Sequence, residues 1–495
     1  MTRDSTPPFL DLRSFLAHLD SSGRLRHVAK AVDKDWELAC IARWALESTP
    51  ERDTYAILFE HVRNHSAPVV VNLYSTPEMY ASALGISPDC LLKHWANALE
   101  SPCVPSVVGS GPVQEVVRTG SKVDLLSIPA PIWTPGQDAG PYLSAANVIT
   151  KDPDTGIQNM GIYRMQIHDR NHAGLCFASK MQHGAMHLKK YGERRQPMPI
   201  AAVIGAAPVV TFASAAKLPY GVDELGIAGG LAASSLEVVR GKTVDLLVPA
   251  QAELVIEGFV HPESRETEGP FGEFLGYVNG AAPAPVVEVT AITHRSSPIH
   301  HGFVQQLPPS DGHFVMEMGF LGPLWFNVNR KLGLKGIRDL AIARGSAGLG
   351  ILVVQIEKAH ASESAHIGRM LAKFSSGLSF IYLVDEDIDI RDQESLNWAL
   401  SSRVGQPKDI EFVRNLSTSQ SDYSKVSHAE TKEPACQRNA SVVVVNAIAK
   451  SPMSKISLPT CPLMLKTLET WHETGLPPLS PRKRLITLLK SHSKD

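Results

Sequence analysis

The stretch EGPFGEFLGY, Glu268 to Tyr277, constrains this chain more than any other. Gly269 and Pro270 fix a turn, and Gly272 lets backbone approach closely. Glu268 and Glu273 stand five positions apart around that turn. Side chains that stack on one helix face are three or four residues apart, so this pair does not share one. Two carboxylates held on a rigid bend can converge on a pocket, where one ionises and the other is pushed towards its protonated form. That division suits general acid–base chemistry. A solvated acidic loop beside a turn fits the two glutamates, taken alone, about as well.

At 495 residues the chain has room for two or three domains with large cores. Its 48 basic and 50 acidic residues leave a net charge of −2, which gives no broad electrostatic footprint for nucleic acid. No apolar run reaches membrane-spanning length, and the opening MTRDSTPPFLDLRSF lacks the apolar core of a signal peptide. The six cysteines, Cys40, Cys90, Cys103, Cys176, Cys436 and Cys461, are scattered without a CxxC pair. That usage points to a reduced, cytoplasmic compartment rather than a disulfide framework or a zinc ribbon.

Three textures follow one another. Residues 1–110 mix helices (9 to 21, Trp36 to Leu46, Pro77 to Leu99) with short strands in AILFEHV and PVVVNLY. Residues 111–305 alternate short β-branched runs with proline and glycine turns, which predicts a barrel or sandwich rather than a doubly wound sheet. Helices interrupt it near Gly184 to Tyr191 and Asp223 to Ser234. Residues 306–495 alternate strands and helices as an α/β domain. FIYLV runs into the acidic DEDIDIRD, QESLNWALSSRV is a helix, a mobile loop is expected near 417–439, and a helix near the C-terminus.

Several polar residues stand out inside these segments. Arg164, in NMGIYR, lies in an otherwise apolar run; it needs an anionic partner or a route to solvent. His183, in KMQHG, could ligate a metal, touch a phosphate or simply hydrogen-bond within a loop. With His187 it makes an H-x-x-x-H step that could bind zinc, but Gly184 stands where zinc peptidases place their glutamate. Glu224, in LPYGVDELGIAGGL, is either a helix-start carboxylate like Asp223 or an oxygen ligand for a hard divalent ion. The backbone of Ala215, Ala216 and Lys217 carries small side chains at its first two positions and could approach a cofactor closely.

Taken in order, DLLSIPAPIWTPGQDAGPYLSAANVIT, NMGIYR, KMQH, LPYGVDELGIAGGL, LLVPAQAELVIEGFV, EGPFGEFLGY and FIYLVDEDIDI resemble the UbiD family of reversible decarboxylases, which use prenylated flavin mononucleotide (FMN). The resemblance covers most of residues 10 to 405. It implies a multidomain α+β fold: an α/β N-terminal part, a split β-barrel that holds the flavin, and a C-terminal α/β domain used in oligomerisation. Carried over by motif, it places the catalytic residues at Arg164, Glu268 and Glu273, and the ligands of a manganese or magnesium ion on the cofactor phosphate at Asn159, His183 and Glu224. A neighbouring backbone-carbonyl site is open to potassium. Gln182, Ala215, Ala216 and Lys217 join Asn159, Arg164, His183 and Glu224 as expected cofactor contacts. Glu273 would donate the proton to the carbon that loses carbon dioxide.

The strand before the acidic run, GLSFIYLV, carries no basic residue where many relatives have one, which leaves Lys217 or Lys373 to supply charge for the phosphate. The segment after Asn439 departs from the family pattern. The polar loop Gln305 to Phe314 is expected to face substrate. The resulting expectation is a cytoplasmic homo-oligomeric decarboxylase, a homodimer or larger. It would act on an aromatic, heteroaromatic or conjugated unsaturated carboxylic acid, depend on a flavin prenyltransferase for its cofactor, and have neither a nucleic-acid partner nor a membrane span. A non-catalytic flavin-binding or assembly subunit, and a metal hydrolase built on His183 and His187, are the competing expectations.

Overall fold

The structure is a computed structural model that describes residues 8–346, 350–374, 377–416, 440–450, 456–479, 485, 486 and 488. The loop expected near 417–439 lies outside the described residues. The chain divides into two compact units, Met1–Asn327 and Val328–Asp495.

The first unit is built round a nine-stranded sheet whose spatial order differs sharply from its chain order. From one margin to the other run Tyr142–Leu143, Met165–Ile167, His172–Leu175, Ala282–His294, Leu254–Glu268, Met198–Ile204, Asn147–Lys151 and Gln158–Ile162, with Val116–Thr119 added on Ala282–His294. Gln158–Ile162 lies at one margin, while Met165–Ile167 lies second from the other. Only Tyr163 and Arg164 separate them in the chain. Three Cα steps span at most about 11 Å, so the sheet must curl until its margins nearly meet. The result is a barrel split along one seam. Its long axis is the antiparallel pair Leu254–Glu268 and Ala282–His294, with a register shift at Glu257/Gly258. The interior is apolar, with Leu143, Met165, Leu175, Ile200, Ile256 and Val287 almost fully buried.

Around the barrel sit the elements of the N-terminal segment. The helix Leu12–Ser21 buries Leu12, Phe15, Leu16 and Leu19, as its spacing predicts, and Asp11 caps it by accepting from the Ser14 N–H at 2.8 Å. Leu25–Val28, Ala56–Phe59 and Val69–Val71 form a sheet that His300–His301 completes. The chain leaving the barrel thus pairs with the N-terminal segment, which is why the two form one unit. His300 and His301 are strand residues with buried rings.

Helix Glu224–Ala232 packs against helix Leu91–Glu100 and carries its small residues into the contact. A Cβ on Gly230 would lie 2.6 Å from the Ala98 carbonyl oxygen, and one on Gly229 would lie 2.5 Å from that of Cys103. The glycines of GIAGGL are therefore a packing requirement, and they set the position of Glu224 at the head of the helix.

The second unit has a five-stranded mixed sheet in the order Ile337–Ile342, Ile351–Ile356, Phe380–Asp385, Ala440–Ala447, Ile410–Leu416. Phe380–Asp385 runs parallel to both its neighbours and is central, as FIYLV predicts. The acidic run after it is no solvated face. Buried Arg403, from helix Gln393–Arg403, binds Asp385 at 2.6 Å and Asp387 at 2.6 and 2.9 Å. The expected polar loop Gln305 to Phe314 ends inside a long helix, Asp311–Arg330, which has Pro323 within it. Apolar residues on nearly every side of that helix leave no amphipathic stripe for a sequence reader to find. Among the described residues no helix is long and apolar enough to cross a membrane. Helix Cys461–Glu469 is the last one described in full, and the chain beyond residue 488 lies outside the described residues.

The Gly230 contact gives a direct test. Gly230→Val should lower the free energy of unfolding by about 2–3 kcal/mol, read as a lower urea midpoint with an unchanged slope.

Candidate active site

Arg164 sits on the seam of the barrel, and the seam turns it towards the acidic bend. Nε and Nη2 of Arg164 donate to the two oxygens of Glu268, each at 2.8 Å, while Nη1 donates to Glu273. The guanidinium also stands over the Phe271 ring, 4.7 Å from its centroid. The side chains of Arg164, Glu268 and Glu273 are 11%, 3% and 13% exposed. Neither a solvated acidic loop nor a water-facing arginine fits those numbers.

The bend is built for this convergence. Glu268 ends the long strand Leu254–Glu268, and Gly269 follows with φ of +89°, a conformation that suits glycine. The Gly269 N–H is anchored by the Gln166 side-chain oxygen at 3.0 Å and the Tyr142 hydroxyl at 3.1 Å. Phe271–Gly272 then pairs with Val278–Asn279. A Cβ on Gly272 would lie 2.1 Å from Thr134 Oγ1, so only glycine lets the bend come this close. Glu273 begins the turn of that hairpin, its N–H donating to the Tyr277 carbonyl at 2.8 Å.

Charge follows from burial and neighbours. Burial opposes the Arg164 charge, but the bond to Glu268 and the charges of both glutamates hold its pKa above the usual arginine value. Burial pushes the Glu273 carboxyl up, against the pull of Arg164 and of the Asn279 amide, which donates to it at 2.8 Å. Glu268 keeps two hydrogen bonds from the cation. The two carboxylates are thus placed in unlike surroundings, as acid–base work needs.

A second cluster joins three separate elements. Asn159 lies in strand Gln158–Ile162, His183 opens helix His183–Glu193, and Glu224 opens helix Glu224–Ala232. The Asn159 amide donates to Glu224 at 2.8 Å and to the His183 Nδ1 at 3.3 Å. Glu224 also accepts from the Met160 N–H at 2.7 Å. The helix cap is taken by Asp223, which accepts from the Leu225 N–H at 2.9 Å, so Glu224 is free for other work. Glu224 is 2% exposed, and burial pushes its pKa to about 8. Among the described residues no cationic side chain pairs with it. Burial lowers the His183 pKa, keeping its imidazole neutral and able to ligate. A buried carboxyl lacking a cationic partner, beside a neutral imidazole and a side-chain amide that can turn its oxygen inward, is a donor set that fits a hard divalent ion. His187 turns to Thr150 at 2.8 Å, and no group of three His, Cys, Asp or Glu side chains among the described residues could hold a metal.

The remaining expected contacts are less uniform. Gln182 precedes helix His183–Glu193, and its side chain accepts from the Ser179 N–H at 3.4 Å. The N–H groups of Ala215, Ala216 and Lys217 donate to Phe212, Ala213 and Gly319 carbonyls, so none is left over for a ligand. What this segment offers is the Lys217 ammonium. It lies 5.3 Å from the Phe320 ring centroid, has no carboxylate partner among the described residues, and is pushed down to a pKa of about 8 by burial, although the residue as a whole keeps contact with solvent. Lys373 belongs to helix Ser364–Phe374 of the second unit. Asn279, Phe271 and Tyr142 escaped the sequence reading, although Phe271 stands inside the same acidic motif. So did Cys176, whose N–H donates to the Arg164 carbonyl at 3.2 Å and whose thiol burial pushes up to about 12.

Comparison with known proteins bears on all of this. Family models of the 3-octaprenyl-4-hydroxybenzoate carboxy-lyase match in three parts: the N-terminal domain over residues 16–99, the Rift-related domain over 106–308 and the C-terminal domain over 324–446. An uncharacterized protein of Archaeoglobus fulgidus is 30% identical over 448 residues, 84% of this chain and 88% of that protein. The UbiD-class enzyme HmfF from Pelotomaculum thermopropionicum, solved in complex with FMN, superposes with a TM-score of 0.80 at 32% identity, over 91% of this chain and 97% of that one. An evolved dimeric form of HmfF, in complex with prenylated FMN, gives 0.79 at 31%, with the same coverage. Vanillic acid decarboxylase of Sedimentibacter hydroxybenzoicus gives 0.81 at 25%, over 95% of this chain and 100% of that one. With all three of its parts matched in order, this chain belongs to the UbiD family of carboxy-lyases.

Proposed function

We propose that the protein is a cytoplasmic, homo-oligomeric decarboxylase that uses prenylated FMN to remove carbon dioxide, reversibly and without net oxidation, from an aromatic, heteroaromatic or conjugated unsaturated carboxylic acid. One observation carries the reading: Arg164, Glu268 and Glu273, distant in the chain, form one buried ion cluster. That cluster weighs against a non-catalytic assembly subunit, which has no use for a buried acid beside a fixed cation.

Each residue then has a physical task. Glu268 locks the Arg164 guanidinium by a two-point fork. Three of the five N–H groups of Arg164 are engaged by the glutamates, which leaves two for a substrate carboxylate. Decarboxylation replaces a carboxylate with a hydrogen and consumes one proton. Glu273, its neutral form favoured by burial, delivers that proton to the reacting carbon, with Asn279 orienting its carboxyl. Bound prenylated FMN would supply the electron sink for the charge left on carbon. Asn159, His183 and Glu224 would hold a manganese or magnesium ion on its phosphate, and Lys217 would add a second positive charge. A flavin prenyltransferase would have to provide the cofactor. Five cysteines among the described residues are free thiols, in keeping with a reducing compartment.

Three measurements test this reading. Protein produced alongside a flavin prenyltransferase should carry a cofactor with a flavin-type visible spectrum and the mass of the prenylated form; a colourless protein would sink the proposal. Glu273→Gln should lower carbon dioxide release by about 10²–10⁴-fold while that spectrum persists. The sign of the pH response is also set. Burial raises the Glu273 pKa and the acid acts in its protonated form, so turnover should be full below that raised value and fall as pH climbs through it.

A further inference from the structure

Beside the proposed metal ligands lies a small pocket lined by Asp152, Asn159, His183, His187 and Tyr220, among others. Asp152 opens the turn between strands Asn147–Lys151 and Gln158–Ile162, and it is 2% exposed. Its carboxylate accepts from Lys190 Nζ at 2.8 and 3.0 Å and from the Tyr220 hydroxyl at 2.6 Å. The Tyr220 ring in turn meets His183 edge-on, with centroids 5.2 Å apart, and His187 at 5.6 Å. Lys190 Nζ also lies 5.1 Å from the Tyr220 ring centroid. None of these three side chains was singled out in the sequence.

The connectivity gives the contact its meaning. Asp152 belongs to the hairpin that carries Asn159. Lys190 belongs to the helix that carries His183. Tyr220 belongs to the short connection that runs from helix Pro208–Ser214 into the helix headed by Glu224. One buried carboxylate therefore ties together the three elements that each deliver one proposed ligand. A hydrogen bond to a charged group is stronger than one between neutral groups, and removing one partner leaves the buried carboxylate short of a donor. The Tyr220 segment is also partly exposed, so it is the piece of the three most able to swing out and let an ion leave.

We propose that Tyr220, fastened by Asp152 and Lys190, is a latch that retains the divalent ion at Asn159, His183 and Glu224. This rests on the metal site assigned above. Tyr220 is a positioning residue: it touches His183, and it acts on retention rather than on the chemical step. Losing the hydroxyl while keeping the ring should free the segment without emptying the contact with His183.

The test compares wild type with Tyr220→Phe, each stripped of metal and reloaded with Mn2+ alone. The latch predicts that Mn2+ leaves Tyr220→Phe about tenfold faster on addition of a chelator, and that the Mn2+-induced rise in melting temperature shrinks, so that the Mn2+-loaded variant loses more than the metal-free one. Lys190→Met, which leaves Asp152 buried with one partner fewer, should accelerate release in the same direction. Equal release rates in wild type and Tyr220→Phe would overturn the latch while leaving the metal site standing. A melting temperature lowered equally with and without Mn2+ would overturn it too, since the bond would then be merely structural. Failure of wild type to bind Mn2+ at all would overturn both the latch and the metal assignment.

Discussion

The rest of the molecule depends on a mismatch between chain order and spatial order at Tyr163 and Arg164. Two residues join strands near opposite margins of the large sheet, so the sheet cannot lie open. Curling brings the margins together, and the residue at the join is an arginine. A guanidinium in that place must be neutralised from within the protein. Glu268 does this from the end of one long strand, and Glu273 from the bend that follows. The geometry of the barrel and the chemistry of the site are thus one problem with one solution.

Much of this was legible in the residues. The bend at Gly269 and Gly272, the apolar run around Arg164 and the strand-rich middle were all read from local pattern, because turn chemistry and alternation act over a few residues. The small-residue helix after Pro219 was visible, but the reason for its glycines was not; that lies in the Ala98 and Cys103 carbonyls, more than a hundred positions upstream. Helix Asp311–Arg330 was missed because its own apolar residues lie on nearly every side and leave no stripe to read. The partners Asn279 and Tyr142 were missed for a different cause. A single polar residue within a strand gives no local sign of which distant group it will meet.

The small residues at Ala215 and Ala216 show that a local argument for close approach does not name what approaches. Close backbone approach does occur there, since a Cβ on Gly319 would lie 2.3 Å from the Ala215 carbonyl oxygen. What approaches is another helix of the same chain. The segment still offers Lys217, an ammonium held beside an aromatic ring with no carboxylate partner among the described residues.

The way the barrel closes has a consequence for how the molecule comes to exist. Its two clusters are each closed by long-range pairs, Asn159–Glu224 at 65 residues and Arg164–Glu273 at 109. Contacts of such long reach cost chain entropy before they return any stabilisation, and they slow folding. The buried cluster of Arg164, Glu268 and Glu273 therefore belongs to the curled sheet alone, because an open sheet would hold the margin that carries Arg164 away from the bend that carries both glutamates.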